Sequence, residues 1–157
     1  MTKENTSPAC EELAALIDRS LRFLSDDYGF EPVYQEGGSA RCVFVMESKD
    51  CRLRFVYEFG AVGMDIGSLD AAPGWSDAPR GIRQWFGMDA VLEFVRGVKP
   101  TLEEIRESGN AISKMSSEDR MLDLANRLRP VARAVFDIFR ADTPPELRRA
   151  FEAFVSG

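Results

Sequence analysis

The chain has no histidine among its 157 residues. That removes the commonest general base, the commonest metal ligand and the usual partner of a serine or cysteine nucleophile. Cysteine is scarce too. Cys10, Cys42 and Cys51 make an odd set with no C-x-x-C pair, so no zinc site is expected. Phosphate-binding motifs are missing: there is no Walker sequence and no G-x-G-x-x-G. Gly37-Gly38-Ser39 lies between two strands with no helix behind it, and reads as a turn. No stretch approaches the roughly 18 consecutive apolar residues of a membrane span. The start, Met-Thr-Lys-Glu-Asn, has no apolar segment behind it. A reduced, cytoplasmic protein without a signal peptide is the expectation, with no cofactor, no metal and no membrane partner.

What is present suits one domain, residues 1–157, of ordinary size. The apolar content of 45% is enough for a packed core. Residues 1–70 hold 13 acidic and 7 basic side chains, and residues 71–157 hold 13 of each, so the whole net charge of −6 lies in the first part. An acidic half repels nucleic acid and attracts basic partners, or simply keeps the chain soluble.

Ser7-Pro8 is a helix start, a capping side chain followed by the residue suited to the first helical position. Leu13, Leu16, Ile17, Leu21 and Leu24 recur at helical spacing, which predicts a helix over about 8–25. The period then becomes alternating. Strands are expected at about 30–35, 41–47, 51–59 and 62–67. Gly60-Ala61 would join the last two, setting Tyr57 opposite Met64 and Phe55 opposite Ile66. Ser48-Lys49-Asp50 would join the second and third, setting Val45 opposite Leu53 and Val43 opposite Phe55. That register puts Cys42 on the face away from the core.

Residues 68–87 form a long connection broken by Pro73, Gly74, Pro79 and Gly81. Helices follow at about 88–96, 102–109, 117–140 and 144–155. Gly97 stops the first, Thr101-x-x-Glu104 caps the second, Ser116 or Ser117 caps the third, and Pro130 kinks it. Strands followed by helices give an α+β class: an N-terminal helix, a four-stranded antiparallel meander, then helices packed on the sheet.

Candidate chemistry is sparse. Asp26-Asp27 and Glu103-Glu104 are adjacent carboxylates that point apart on a helix and lack Ca²⁺-loop spacing. Cys51 follows Lys49, which could lower its pKa, and Cys10 sits in a helix's first turn; packing thiols are the simpler reading of all three cysteines. Asp65 and Glu58 with Arg52 and Arg54 read as cross-strand pairs. Arg127, Arg129, Arg133, Arg140, Arg148 and Arg149 cluster late in the chain, but interspersed acids cancel a phosphate footprint. The 68–87 connection carries both tryptophans, Trp75 and Trp85, with Arg80 and Arg83 between them. Those residue types dominate binding hot spots, so these four are candidate interaction residues. Trp85 could equally anchor the connection to the core.

The segment Phe23-Leu24-Ser25-Asp26-Asp27-Tyr28-Gly29-Phe30 reads F-L-x-x-x-Y-G-F. Val43-Phe44-Val45-Met46-Glu47-Ser48, Arg52-Leu53-Arg54-Phe55-Val56-Tyr57-Glu58 and Met64-Asp65-Ile66-Gly67 follow it. This order resembles small uncharacterised bacterial proteins, some of them similar to immunity proteins of toxin systems. The resemblance covers about residues 20–97. It implies a binding role and carries no catalytic residues with it.

Two functions are therefore expected as alternatives. One is a non-enzymatic protein-binding domain, of immunity type, for a basic protein partner. The other is a small-molecule binder or an unrecognised enzyme, with a pocket between sheet and helices lined by Tyr57, Met64 and Trp85.

Overall fold

The computed structural model describes residues 7–74 and 84–156. Helix α1, Pro8–Ser20, begins where the sequence indicates: the Ser7 hydroxyl accepts the Cys10 N–H at 3.0 Å, and Pro8 opens the first turn. It is shorter than the apolar spacing predicts. Leu21 leaves the helical region (φ −124°, ψ 28°), and a second helix, α2, Arg22–Tyr28, starts after it. Leu21 and Leu24 stay buried across the break, so the apolar spacing runs on without recording it. Gly29 closes α2 at φ 72°, its N–H bonding the carbonyls of Leu24 and Ser25, and turns the chain into the sheet.

Strands β1 (Glu31–Gly37), β2 (Arg41–Glu47), β3 (Arg52–Glu58) and β4 (Ala61–Gly67) form the expected antiparallel meander. A short β5, Phe86–Gly87, adds to its far edge, with Asp65 opposite Gly87 and Ile66 opposite Phe86. The 68–87 connection thus returns to the sheet before the next helix starts.

Both central hairpin registers differ from the sequence reading. Ser48–Cys51 is a four-residue loop, so Phe44 faces Phe55 and Met46 faces Leu53. This one-residue shift turns Cys42, Phe44 and Met46 toward the main core and puts Val43 and Val45 on the other face. The Ser48 hydroxyl holds the loop by accepting the N–H groups of Asp50 and Cys51. Between β3 and β4 the turn is Phe59-Gly60, not Gly60-Ala61. Phe55 therefore faces Met64, and Tyr57 faces Val62. Both turn residues take positive φ, 50° and 87°, as a two-residue hairpin turn of this hand demands.

With Cys42 on the core face, its sulfur bonds to Cys10 of α1, closing a loop over 32 positions. The expectations of an all-thiol chain and of an outward Cys42 are corrected together. A cross-link over that distance constrains the unfolded chain by about 3–4 kcal/mol in the chain-entropy account. Cys51 stays a free, buried thiol.

The remaining helices are α3 (Met88–Arg96), α4 (Leu102–Ser113), α5 (Ser117–Leu128), α6 (Ala132–Phe139) and α7 (Pro145–Ser156). Gly97 ends α3, Thr101 and Glu104 form the capping box of α4, and Ser116 caps α5. The expected kink is a 3₁₀ turn, Arg129–Val131, between α5 and α6. Pro130 cannot donate to the preceding turn, which breaks the long helix there.

One face of the sheet, with Phe44, Leu53, Phe55, Tyr57, Met64 and Ile66, packs against α1, α3, α5 and α6 in a continuous core. Phe86, Phe94, Phe139 and Phe151 extend that core under α7 through edge-to-face ring pairs. The opposite face carries a smaller cluster of Val45, Ala71 and Trp85, with Tyr34 beside it.

Candidate functional site

The sequence candidates divide clearly. Trp75, Arg80 and Arg83 lie outside the described residues. Trp85 is buried against the outer sheet face, donating its indole N–H to the Ala72 carbonyl at 2.7 Å, with the Arg54 guanidinium stacked 4.8 Å from its ring centre. It holds the fold together and is not open to a partner. Gly67 leaves it room: a Cβ there would lie 3.1 Å from the indole and 2.6 Å from the Gln84 carbonyl oxygen. Tyr57 and Met64 are members of the packed core and line none of the clefts described below.

The charged candidates form pairs. Arg54 reaches Asp65 at 2.9 Å, Arg52 reaches Glu47 at 2.7 Å and Arg41 reaches Glu58 at 3.1 Å. Arg133 meets Asp50, Arg140 spans Asp137 and Asp142, and Arg148 meets Glu152. Arg129 stacks over Phe23. Burial and the neighbouring Asp50 push the Cys51 thiol up, so it is a poor nucleophile at neutral pH. No cluster of three or more metal-ligating side chains occurs among the described residues, and none of their helices is long and apolar enough to cross a membrane.

A different site is built where the β3–β4 hairpin, the end of α4 and the start of α5 meet. Phe59, at the hairpin tip, is 79% exposed. Its left-handed backbone is costly for a residue with a bulky side chain, by about 1–2 kcal/mol. An exposed aromatic ring offers no burial in return. Beside it lies a cleft of about 300 Å³ lined by Phe59–Val62 of the hairpin, Ile112, Ser113 and Met115 at the end of α4, and Ser117 and Arg120 of α5. A second cleft, of about 440 Å³, lies on the other side of Phe59, along Glu36–Arg41. The ring therefore stands between two grooves.

Helix α4 extends this apolar surface. It buries none of its residues, and Leu102 and Ile105 are 81% and 52% exposed. Leu102, Ile105, Gly109 and Ile112 follow at the spacing of one helical face. A Cβ added at Gly109 would meet nothing within 4 Å among the described residues, so the face is open there, while Ile112 at its far end is half-buried in the cleft.

Below the cleft lies Arg120, the one buried charged residue among the described residues. Its Nη2 donates to Asp89 of α3 at 2.5 Å. Arg127 donates to the other oxygen of the same carboxylate at 2.6 Å and also pairs with Asp123 at 3.0 Å. Burial alone would raise the Asp89 pKa, but the hydrogen bonds from Arg120 and Arg127 outweigh it and hold that carboxyl below its ordinary range. Burial and the Asp89 charge raise nearby Glu93 instead.

No family model, curated protein or solved structure matches the chain.

Neither Phe59 nor Arg120 stands out in the sequence reading. Phe59 continues the alternating set Leu53, Phe55 and Tyr57, and so passes for a core residue. Arg120 does leave a signal: it lies at an apolar-face position of α5, one residue before Met121 and four before Leu124.

Proposed function

We propose that this protein is a non-enzymatic protein-binding domain whose contact surface centres on Phe59 and continues over the open face of α4. The observation that carries the reading is Phe59 itself: a large aromatic ring, 79% exposed, on a backbone turn that disfavours it. Strain of this kind persists where function needs the side chain. Exposed apolar surface beside a polar rim is the usual form of a protein-contact site, and aromatic anchors supply most of the binding energy.

The partner is a basic protein. The hairpin belongs to the part of the chain that carries the whole net charge of −6, and Glu36 lies near its tip, with Glu58 there paired to Arg41. Acidic surface of this kind speeds encounter with a positive partner, so the association rate should fall as salt rises. An immunity-type role, neutralising a basic toxin, agrees with the F-L-x-x-x-Y-G-F resemblance and with this charge. A reducing, cytoplasmic setting is part of that reading only if the Cys10–Cys42 bond is dispensable for binding.

The test compares wild type with Phe59→Asn, first by capture of partners from host lysate and then by the affinity of the identified partner. Asparagine tolerates the left-handed turn, so the variant should be more stable, by about 1 kcal/mol in denaturant unfolding. It should also bind at least about tenfold more weakly, as loss of an aromatic anchor does. Undiminished affinity in Phe59→Asn removes the hairpin tip from the contact surface.

A further inference from the structure

The geometry points to a ligand site beneath the partner surface: the cleft between the β3–β4 hairpin and the α4–α5 junction takes a carboxylate group carried on a short apolar body. The inference goes beyond the partner reading, because the recognising group lies below Phe59, and it holds whether or not a protein covers the ring.

Arg120 carries the argument. Its side chain is only 8% exposed. Its Nε and Nη1 are shut off from bulk water and have no hydrogen-bond partner among the described residues. Buried donors left in this state are rare and costly, more so in a cation. Its neighbouring carboxylates leave these two donors unmet. Asp89 is shared with Arg127, and Asp123 approaches Nη1 only to 3.6 Å while pairing with Arg127 at 3.0 Å. Asp89 and Asp123 balance the two guanidinium groups in charge, yet neither is placed to accept from Nε or Nη1 of Arg120.

The cleft supplies the rest of the chemistry. Among the described residues, Arg120 is its only charged lining residue and no acid lines it. Phe59, Val62, Ile112 and Met115 provide apolar wall, while Ser113 and Ser117 add hydroxyls. Apolar walls with a single convergent cation are the pattern of a site for an amphipathic anion. Hydrogen bonds between an ionised donor and an ionised acceptor are the strong ones, which favours a carboxylate over an amide or alcohol. A volume of about 300 Å³ admits one ring or a short alkyl chain and excludes a long lipid tail. Entry needs a side-chain shift in the lining, and Met115, long and unbranched, is the wall able to make it. A free small acid and the C-terminal carboxylate of a protein ending in an apolar residue share this chemistry.

The experiment is a titration of the isotope-labelled full chain, read at the Arg120 Nε–Hε resonance and by calorimetry. The probes are 3-phenylpropanoate, its primary amide, and a hexapeptide ending in Phe with either a free or an amidated C-terminus. Saturable displacement of the Arg120 resonance by 3-phenylpropanoate or by the free-acid peptide is expected, with the amides at least about tenfold weaker. Tighter binding of the free-acid peptide identifies a chain terminus as the source; tighter binding of 3-phenylpropanoate identifies a free acid. Equal binding of acid and amide overturns the carboxylate assignment. No response to any probe means that water alone serves the two donors, which overturns the site. Arg120→Met is the direct variant and should abolish acid binding, but it also removes the ion pairs with Asp89 and Asp123. Ala61→Trp therefore accompanies it, filling the cleft from an exposed lining position. Binding unchanged in Ala61→Trp also overturns the proposal.

Discussion

Helices α4 and α5 are both 12 residues long, both begin at a hydroxyl cap and both carry acids in their first turn. They differ in what they touch. Helix α5 buries Arg120, Met121, Leu124, Ala125 and Leu128 against α1 and the sheet, whereas α4 buries nothing. Local signals decide that a helix forms, but packing decides how firmly it is held. Isolated helices of this length are marginal in water, so α4 should open on its own while α5 opens only with the whole molecule.

The largest effect expected is from Leu124→Ala, which empties a fully buried position and should cost about 3 kcal/mol in denaturant unfolding. Leu102→Ala, the corresponding loss on α4, should change global stability by less than about 0.5 kcal/mol. Comparable losses in the two would show that α4 is packed as firmly as α5. Next comes Asp89→Asn, which leaves buried Arg120 without its close partner and should cost about 2 kcal/mol. Because the folded-state pKa of Asp89 lies below its ordinary 3.8, its contribution is fully present above that value and fades as pH falls through the folded pKa. A pH series of thermal melts should therefore show an acid limb that is flatter in Asp89→Asn. An unchanged limb would mean that the arginines do not hold this carboxylate.

The two caps sharpen the contrast further. Ser116→Ala should lower global stability by about 1 kcal/mol, because α5 unfolds with the core. Thr101→Ala removes a fuller cap, a reciprocal capping box, yet it should appear only as faster hydrogen exchange within α4. The smallest effect is Gly109→Ala, which relieves a mid-helix glycine in open space and should slow α4 exchange by up to about 1 kcal/mol of protection. A clash is not expected, so a destabilised Gly109→Ala would mean that something covers that face in solution.

How much of this was readable from the residues depends on whether one face or two were apolar. The caps at Ser7, Thr101 and Ser116, the break at Pro130 and the order of the four long strands are local or single-faced features, and the sequence carries them directly. Register is not of that kind. In β2, Val43, Phe44, Val45 and Met46 are all buried, because Trp85 and Ala71 cover part of the second face of the sheet. A strand buried on both sides has no alternation to read, so a loop counted one residue short turned Cys42 away from Cys10. Phe59 was hidden by the opposite problem: it continues a regular alternation beyond the point where the chain turns. Arg120 shows its importance only once α3 brings Asp89 to it, between Arg120 and Arg127 of α5. Beyond the place of Arg120 on the apolar face of α5, the site is assembled by tertiary contacts that no spacing rule describes.

The outer face of the sheet bears on how the chain can be rebuilt. Ala72 donates its N–H to the Gln84 side chain at 2.9 Å, and the Arg52 and Arg54 side chains donate to the carbonyls of Ala71 and Gly74. The points at which residues 75–83 leave and rejoin the scaffold are thus tied to the sheet and to each other. With its ends fixed by the scaffold, a connection gains little closure entropy from being short, and each doubling of its length costs only about 0.6 kcal/mol. Arg52, Arg54 and Gln84 therefore reach both ends of that connection at once, and a change at any of the three loosens the outer face of the sheet itself.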